Sequence, residues 1–291
     1  MANLKDLRKR IQVVKSTKKI TSAMKLVATS YLKKAEGRYH SGLSYRNGFQ
    51  GVVDRLCRNL KAIDTEKENE LIVGRKGDKC LLILLSADRG LCAGFNGNIG
   101  RYASKRIQVL QEAGKKVHVL CIGKKAAGAL KPNHKQLVEK IISMPTDRHY
   151  HDVSILVEKV IKDFYEEKFD TCEVIYNQFK SILACLPRCE PFIPVQPSKE
   201  SLQNKNQDLY DMEPMDDEFV NKITTKYLVA HLYAAVVDSQ VSEQSSRMMA
   251  MDSASRNAED LIGKMELKYN RTRQSIITSE LIEIISGAEA L

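Results

Sequence analysis

The residues best placed for chemistry lie in the run Asp88-Arg89-Gly90-Leu91-Cys92-Ala93-Gly94-Phe95-Asn96-Gly97-Asn98. It follows an apolar stretch that reads as a strand and precedes a segment that reads as a helix, the junction where phosphates bind helix N-termini. The glycines fall at 90, 94, 97 and 100, which is not G-x-G-x-x-G, and the chain has no G-x-x-x-x-G-K-[ST]. The expectation is therefore a tight turn without a bound nucleotide, with Asp88 and Arg89 free to face a partner protein. His149-Tyr150-His151 would put two imidazoles on one side if extended, and no cysteine cluster lies nearby to complete a metal site. Seven scattered cysteines form no CxxC pair, so reduced thiols are expected, with Cys185 and Cys189 as the one pair close enough to consider for redox chemistry. No serine–histidine–aspartate or cysteine–histidine arrangement stands out. Asn270-Arg271-Thr272 matches a glycosylation sequon inside a helical pattern and reads as accidental.

The elements that must carry these residues divide the chain sharply. Residues 1–36 contain neither Gly nor Pro, and from Met215 to Leu291 there is no Pro and only Gly263 and Gly287. Those residues are the usual helix breakers, costing ~1 and ~3 kcal/mol. A single helix over Met215–Ile285 would be roughly 105 Å long at ~1.5 Å per residue, more than a compact body can cover. It needs a partner helix, a surrounding sleeve, or both. Apolar positions at Leu4, Leu7, Ile11, Val14, Ile20, Met24, Val27 and Tyr31, with Thr17 filling the gap, predict one helix face. From Val237 to Ile276 the pattern keeps a 3.5-residue period, the signature of a left-handed supercoil. Its seam is weak, with Gln244, Ser255 and Thr272 among its members and methionines at 248 and 251.

Charge supports pairing of the two ends. Residues 1–46 carry twelve Lys and Arg against Asp6 and Glu36, whereas residues 211–291 carry eight basic and fourteen acidic residues. The whole chain of 291 residues is +10. That balance admits a nucleic-acid-binding reading, but the basic residues are not interleaved with stacking aromatics, so no nucleic-acid partner is expected. No apolar run is long enough to span a bilayer and no direct lipid insertion is expected. Residues 1–38 are also basic and acid-poor like a transit peptide, but their helical pattern runs on without a cleavage-like break.

Between the ends, strand and helix alternate. Strands are predicted over Lys79–Ser86, Lys116–Ile122, Leu137–Ile142, Glu173–Phe179 and Ser181–Leu186, and helices over Asn96–Ala113, Lys124–Leu130 and His151–Glu167. Such alternation argues for a parallel, Rossmann-like sheet. Ser198–Pro214 reads as a polar return loop. The working division is an N-terminal shaft helix over 1–60, an α/β domain over 75–195, a connecting loop over 196–214 and a C-terminal shaft helix over 215–291.

Three segments resemble the gamma subunit of F-type ATP synthases. Lys19-Ile-Thr-Ser-Ala-Met24-Lys-Leu-Val-Ala28 is similar to the family's K-I-T-x-A-M-x-M-V-A, and Asp88-Arg-Gly-Leu-Cys92-Ala-Gly94-Phe-Asn96 to D-R-G-L-C-G-G-L-N. The stretch Ser242–Leu291 is close to the family's ending. The resemblance implies α/β with long helices: an antiparallel left-handed coiled coil of the two termini plus a Rossmann-like α/β domain. It implies no catalytic residue and no cofactor in this chain. The implied role is a rotary central stalk turned by a membrane ring, imposing different states on three catalytic sites of a surrounding hexamer. The implied partners are the alpha and beta subunits, the epsilon subunit and the membrane-embedded c-ring. Carried over by motif, Arg273, Gln274, Thr278, Met24, Lys25, Asp88, Arg89 and Cys92 would meet loops of the catalytic subunits. Tyr210 and Glu213 resemble the Y-E-P at the foot that touches the ring and epsilon, although Tyr210-Asp-Met-Glu213-Pro214 carries extra residues. Ala93 and Phe95 replace the more common Gly and Leu. The implied location is peripheral, on the cytoplasmic face of a bacterial inner membrane, with the mitochondrial matrix face as the alternative.

Overall fold

The computed structural model describes residues 4–63, 69–144, 149–197 and 217–289. Two long helices, α1 (Leu4–Ile63) and α6 (Asp217–Glu289), bracket an α/β region. That region contains α2 (Glu70–Val73), β1 (Lys79–Leu85), α3 (Phe95–Glu112), β2 (Lys116–Ile122), α4 (Ala126–Ala129), a 3-10 turn over Pro132–Leu137, β3 (Val138–Ile142), α5 (His149–Tyr165), β4 (Thr171–Ser181) and β5 (Ala184–Ile193). The chain forms two compact units, Met1–Ser30 with Arg247–Leu291, and Tyr31–Ser246.

In the first unit the helices run antiparallel. Lys15 pairs with Glu266, Lys18 with Glu259 and Lys25 with Asp252, at 2.6, 2.8 and 2.6 Å. Midway, Ser22 and Ser255 bring their hydroxyls within 2.8 Å. On this part of α6, Met251 and Ala258 are buried and 255, 262, 265, 269, 272 and 276 are partly buried, steps of four and three that match the expected 3.5-residue seam, with 252, 254 and 266 partly buried beside it.

The expected face of α1 needs correction. The seam runs through Leu4, Leu7, Ile11, Val14, Lys18, Thr21, Lys25 and Ala28, whereas Ile20, Val27 and Tyr31 are more than half exposed. The physical reason is axis separation. Thr21, Ser22 and Ala28 opposite Met251, Ser255 and Ala258 let the helices approach, and larger apolar side chains are turned outward. Val13 and Leu26 join that outward set.

In the second unit the sheet order is β3-β2-β1-β4-β5. β1 lies parallel to β2 and β4, and β2 parallel to β3, while β4 and β5 are antiparallel. The sheet is therefore mixed, not wholly parallel as expected. β5 also runs to Ile193, well past the expected end at Leu186. Its Pro187 and Pro191 suggest a loop, but β5 is an edge strand, where a missing N–H costs no ladder bond. β1, with six of its seven residues buried, separates two cores. One packs Ile99, Ala103, Ile107 and Leu110 of α3 against the sheet. The other packs α5, Val53 and Cys57 of α1, and Tyr227–Val236 of α6. These apolar layers explain why the α/β region forms on this part of α1 and α6.

Candidate partner-binding surfaces

The Asp88 turn is built inward. Oδ1 of Asp88 accepts the Lys124 amide at 2.9 Å, and both of its carboxylate oxygens accept the Met144 amide at 3.2–3.3 Å. One carboxylate thus ties the end of β1 to the residues following β2 and β3. Amides that could otherwise cradle a phosphate are already occupied by a negative group. Asn96 extends the tie: its Oδ1 accepts the Ala87 amide at 3.1 Å and its Nδ2 donates to Cys92 Sγ at 3.2 Å. Cys92 is 2% exposed and its thiol points to the Arg89 carbonyl. Leu91 and Ala93 flank it with φ of 62° and 48°, a left-handed backbone that costs an L-residue ~1–2 kcal/mol. This is why a glycine suits the position that Ala93 holds. Leu91 is left exposed at the surface of the turn.

Close approach is demanding elsewhere in the same junction. Gly123 has φ of +105°, and a Cβ there would lie 2.1 Å from the Ser86 carbonyl oxygen. Only glycine lets β2 leave the sheet beside the end of β1.

His149–His151 are helical, opening α5, and not extended as the expected pairing requires. Cys185 and Cys189 do not form a pair either: both are free and lie four residues apart on β5, which separates them by roughly 13 Å. Cys189 donates instead to Glu173 at 3.1 Å. Glu173 also receives a bidentate grip from Arg106 at 2.5 and 2.7 Å. Burial raises the Cys189 thiol far above its ordinary range, and the neighbouring Glu173 carboxylate adds to this.

On the paired helices, Lys25 and Arg256 both reach Asp252, at 2.6 and 2.8 Å. The Lys25 hydrogen bond, helped by the Arg256 charge, holds the Asp252 carboxyl below its usual range. Met24 lies half-buried beside this group. Arg273, Gln274 and Thr278 are exposed, and the Thr278 hydroxyl folds back onto the Gln274 carbonyl at 2.9 Å. Every side chain from Ile277 to Ala288 is exposed, among them Leu281, Ile282, Ile284 and Ile285. Tyr210 and Glu213 lie outside the described residues.

Sequence reasoning gave no hint of a buried ionic group in the second unit. Glu190 of β5 lies 2.9 Å from His231 of α6, 2.9 Å from Arg188 and 3.5 Å from Arg46 of α1. Burial opposes the Glu190 charge. The His231 hydrogen bond and the two guanidiniums outweigh it and hold the carboxyl down at about 2. The only signal in the sequence is His231 and Asp238 interrupting the apolar run Leu228–Val237 and its continuation.

This arrangement has outward apolar residues on a helix pair, a turn wired for structure, and no convergent nucleophile, acid and base among the described residues. It is a scaffold for contacts. The profile of the ATP synthase family matches residues 3–291. The chain belongs to the ATP synthase gamma chain family. The Pelagibacter ubique gamma chain is 38% identical over 294 residues, covering 100% of both chains. That of Magnetococcus marinus is 40% identical over 298 residues, covering 100% of this chain and 99% of its relative. Among solved structures, a chain of the Euglena gracilis mitochondrial ATP synthase superposes with a TM-score of 0.68 at 18% identity, covering 99% of this chain and 94% of that one. A chain of the Tetrahymena thermophila central stalk and c-ring gives 0.62 at 24%, over 81% and 99%. At these identities the superpositions speak for the fold. A gamma chain is a non-catalytic subunit of its complex. Among the described residues no helix is long and apolar enough to cross a membrane.

Proposed function

We propose that this chain is the rotary central-stalk subunit that couples transmembrane proton flow to ATP synthesis and hydrolysis. It does so by turning inside a hexamer of alpha and beta subunits and imposing a different state on each of three catalytic sites. The observation that carries the reading is the outward apolar surface of the first unit. Val13, Ile20, Leu26 and Val27 on α1, and Leu281, Ile282, Ile284 and Ile285 on α6, are all more than half exposed. An apolar surface of this kind calls for a surrounding partner. Hydrophobic contact is non-directional, so a sleeve around it loses no specific bond at each angle of rotation. Coupling then follows from differential contact: each orientation of an asymmetric axle favours one conformation of each site.

Within this reading Arg273, Gln274 and Thr278 meet loops of the catalytic subunits, and the exposed basic run around them supplies the directional grip that the apolar end lacks. Met24, Lys25, Asp88, Arg89 and Cys92 lie in motifs near the same loops. For Asp88 and Cys92, whose side chains serve the turn, a partner would read the shape of the turn and not those groups. Tyr210 and Glu213 would contact the c-ring and epsilon. The shaft segments are 1–60 and 215–291, with the α/β domain over 75–195 and a connecting loop over 196–214. In this reading the chain is peripheral, at the cytoplasmic face of a bacterial inner membrane, with the mitochondrial matrix face as the alternative.

The test is Arg273→Ala with Gln274→Ala. Both side chains are exposed, so stability should change by less than about 0.5 kcal/mol. Rotational torque and ATP synthesis in the assembled complex should fall. Loss of assembly without a coupling defect, or full coupling in the double variant, refutes the assignment.

A further inference from the structure

Three side chains on one face of α6 hold the backbone of the β4–β5 hairpin. Asp238 Oδ1 accepts the Phe179 amide at 2.6 Å. The Ser242 hydroxyl donates to the Asn177 carbonyl at 3.0 Å, and the Ser245 hydroxyl to the Ile182 carbonyl at 2.6 Å. In return, the Cys185 thiol of β5 reaches the Ser242 carbonyl at 3.8 Å. Asp238 is 6% exposed and both serines are fully buried. Polar groups in such a seam are costly unless each is paired, and apolar residues would pack there without that cost. What pairing adds is direction. Side chains spaced four and three apart, each bonded to a fixed backbone atom, set the rotation and register of the helix against the sheet, whereas apolar contact permits sliding.

We propose that Asp238, Ser242 and Ser245 are positioning residues for rotary coupling, locking α6 to the β4–β5 hairpin so that torque passes between them without slip. The inference rests on the rotary reading given above. It also makes the lock proton-sensitive. The groups facing Asp238 are Tyr39 and Arg46 from α1, and Tyr176, Cys185, Arg188 and Glu190 from β4 and β5, with His231 of α6 bonded to Glu190. Burial pushes the Asp238 carboxyl up to about 7, against the pull of the Phe179 amide. An opened seam returns it to the ordinary carboxylate value of about 3.9. The closed seam therefore binds the proton more tightly, and the lock strengthens as pH falls from 8 through 7. With those two values, the closed-to-open ratio rises about tenfold between pH 8 and pH 6.

Hydrogen exchange on the full chain reads this directly. Protection of the Phe179 amide, corrected for intrinsic exchange, should rise about tenfold from pH 8 to pH 6. In Asp238→Asn, which keeps an acceptor oxygen, it should be flat. In assembled complexes, Ser242→Ala with Ser245→Ala should lower protons pumped per ATP at least severalfold, and Asp238→Asn should remove any pH dependence of that ratio between 6 and 8. The same pH trend in Asp238→Asn, or an unchanged pumping ratio in a serine double variant whose hairpin amides exchange faster, overturns the proposal. Should the serine double variant not assemble, Asp238→Asn alone decides. A wild-type complex in which this chain does not turn overturns the rotary reading itself, whatever the hairpin amides do.

Discussion

Replacing Asp88 by Ala separates two roles that the sequence leaves open, contact with a partner and construction of the turn. The carboxylate accepts two backbone amides, those of Lys124 and Met144. Met144 is buried, so its amide would lose a bond to a charged acceptor with no water to replace it, at about 1.5–3 kcal/mol. Lys124 is exposed and water takes over, leaving about 0.5 kcal/mol. The sum is about 2–3.5 kcal/mol. For a domain of this size that lowers the melting temperature by roughly 4–14 °C. Asp88→Asn keeps one acceptor oxygen and should cost about 1 kcal/mol. Urea unfolding of the isolated chain, at unchanged slope, measures both. If Asp88→Ala loses less than about 0.5 kcal/mol while coupling in the complex collapses, the carboxylate faces a partner and the internal tie is not its role.

Two further substitutions probe the same junction. Gly123→Ala combines a positive φ with a Cβ 2.1 Å from the Ser86 carbonyl and should cost at least about 3 kcal/mol, read as loss of folded yield or a collapsed melting temperature. Ala93→Gly relieves a left-handed φ of 48° and should stabilise by about 0.5–1 kcal/mol after the added unfolded-state entropy is counted, seen as a higher urea midpoint.

Much of the fold was legible because it follows from periodicity and breakers. The breaker-free ends became α1 and α6, and the 3.5-residue pattern from Met251 to Ile276 matches the observed seam. β2 falls on its expected residues, and β1 and α3 differ by a residue at their ends. What misled was equating apolar with inward. Ile20, Val27 and Tyr31 have helical spacing but face out, while Lys18 and Lys25 sit on the seam because their ammonium groups reach Glu259 and Asp252. A sequence pattern identifies a stripe; only the third dimension says whether this chain or a partner covers it. β5 runs past its expected end through Pro187 and Pro191, whose tolerance depends on its edge position. The junction motif stands out by its place between a strand and a helix, but the work of Asp88 does not, because Lys124 and Met144 are remote in sequence. The same holds for Glu190, Asp238 and the serines of α6, whose partners lie on other elements.

The central claim is that this chain turns. With the catalytic hexamer of an assembled complex fixed to a surface and a probe attached to this chain, ATP should drive stepwise rotation in one direction. Removing the exposed apolar end from Ile277 onward should reduce torque more than ATP affinity. ATP hydrolysis at full rate with the probe stationary would contradict the account.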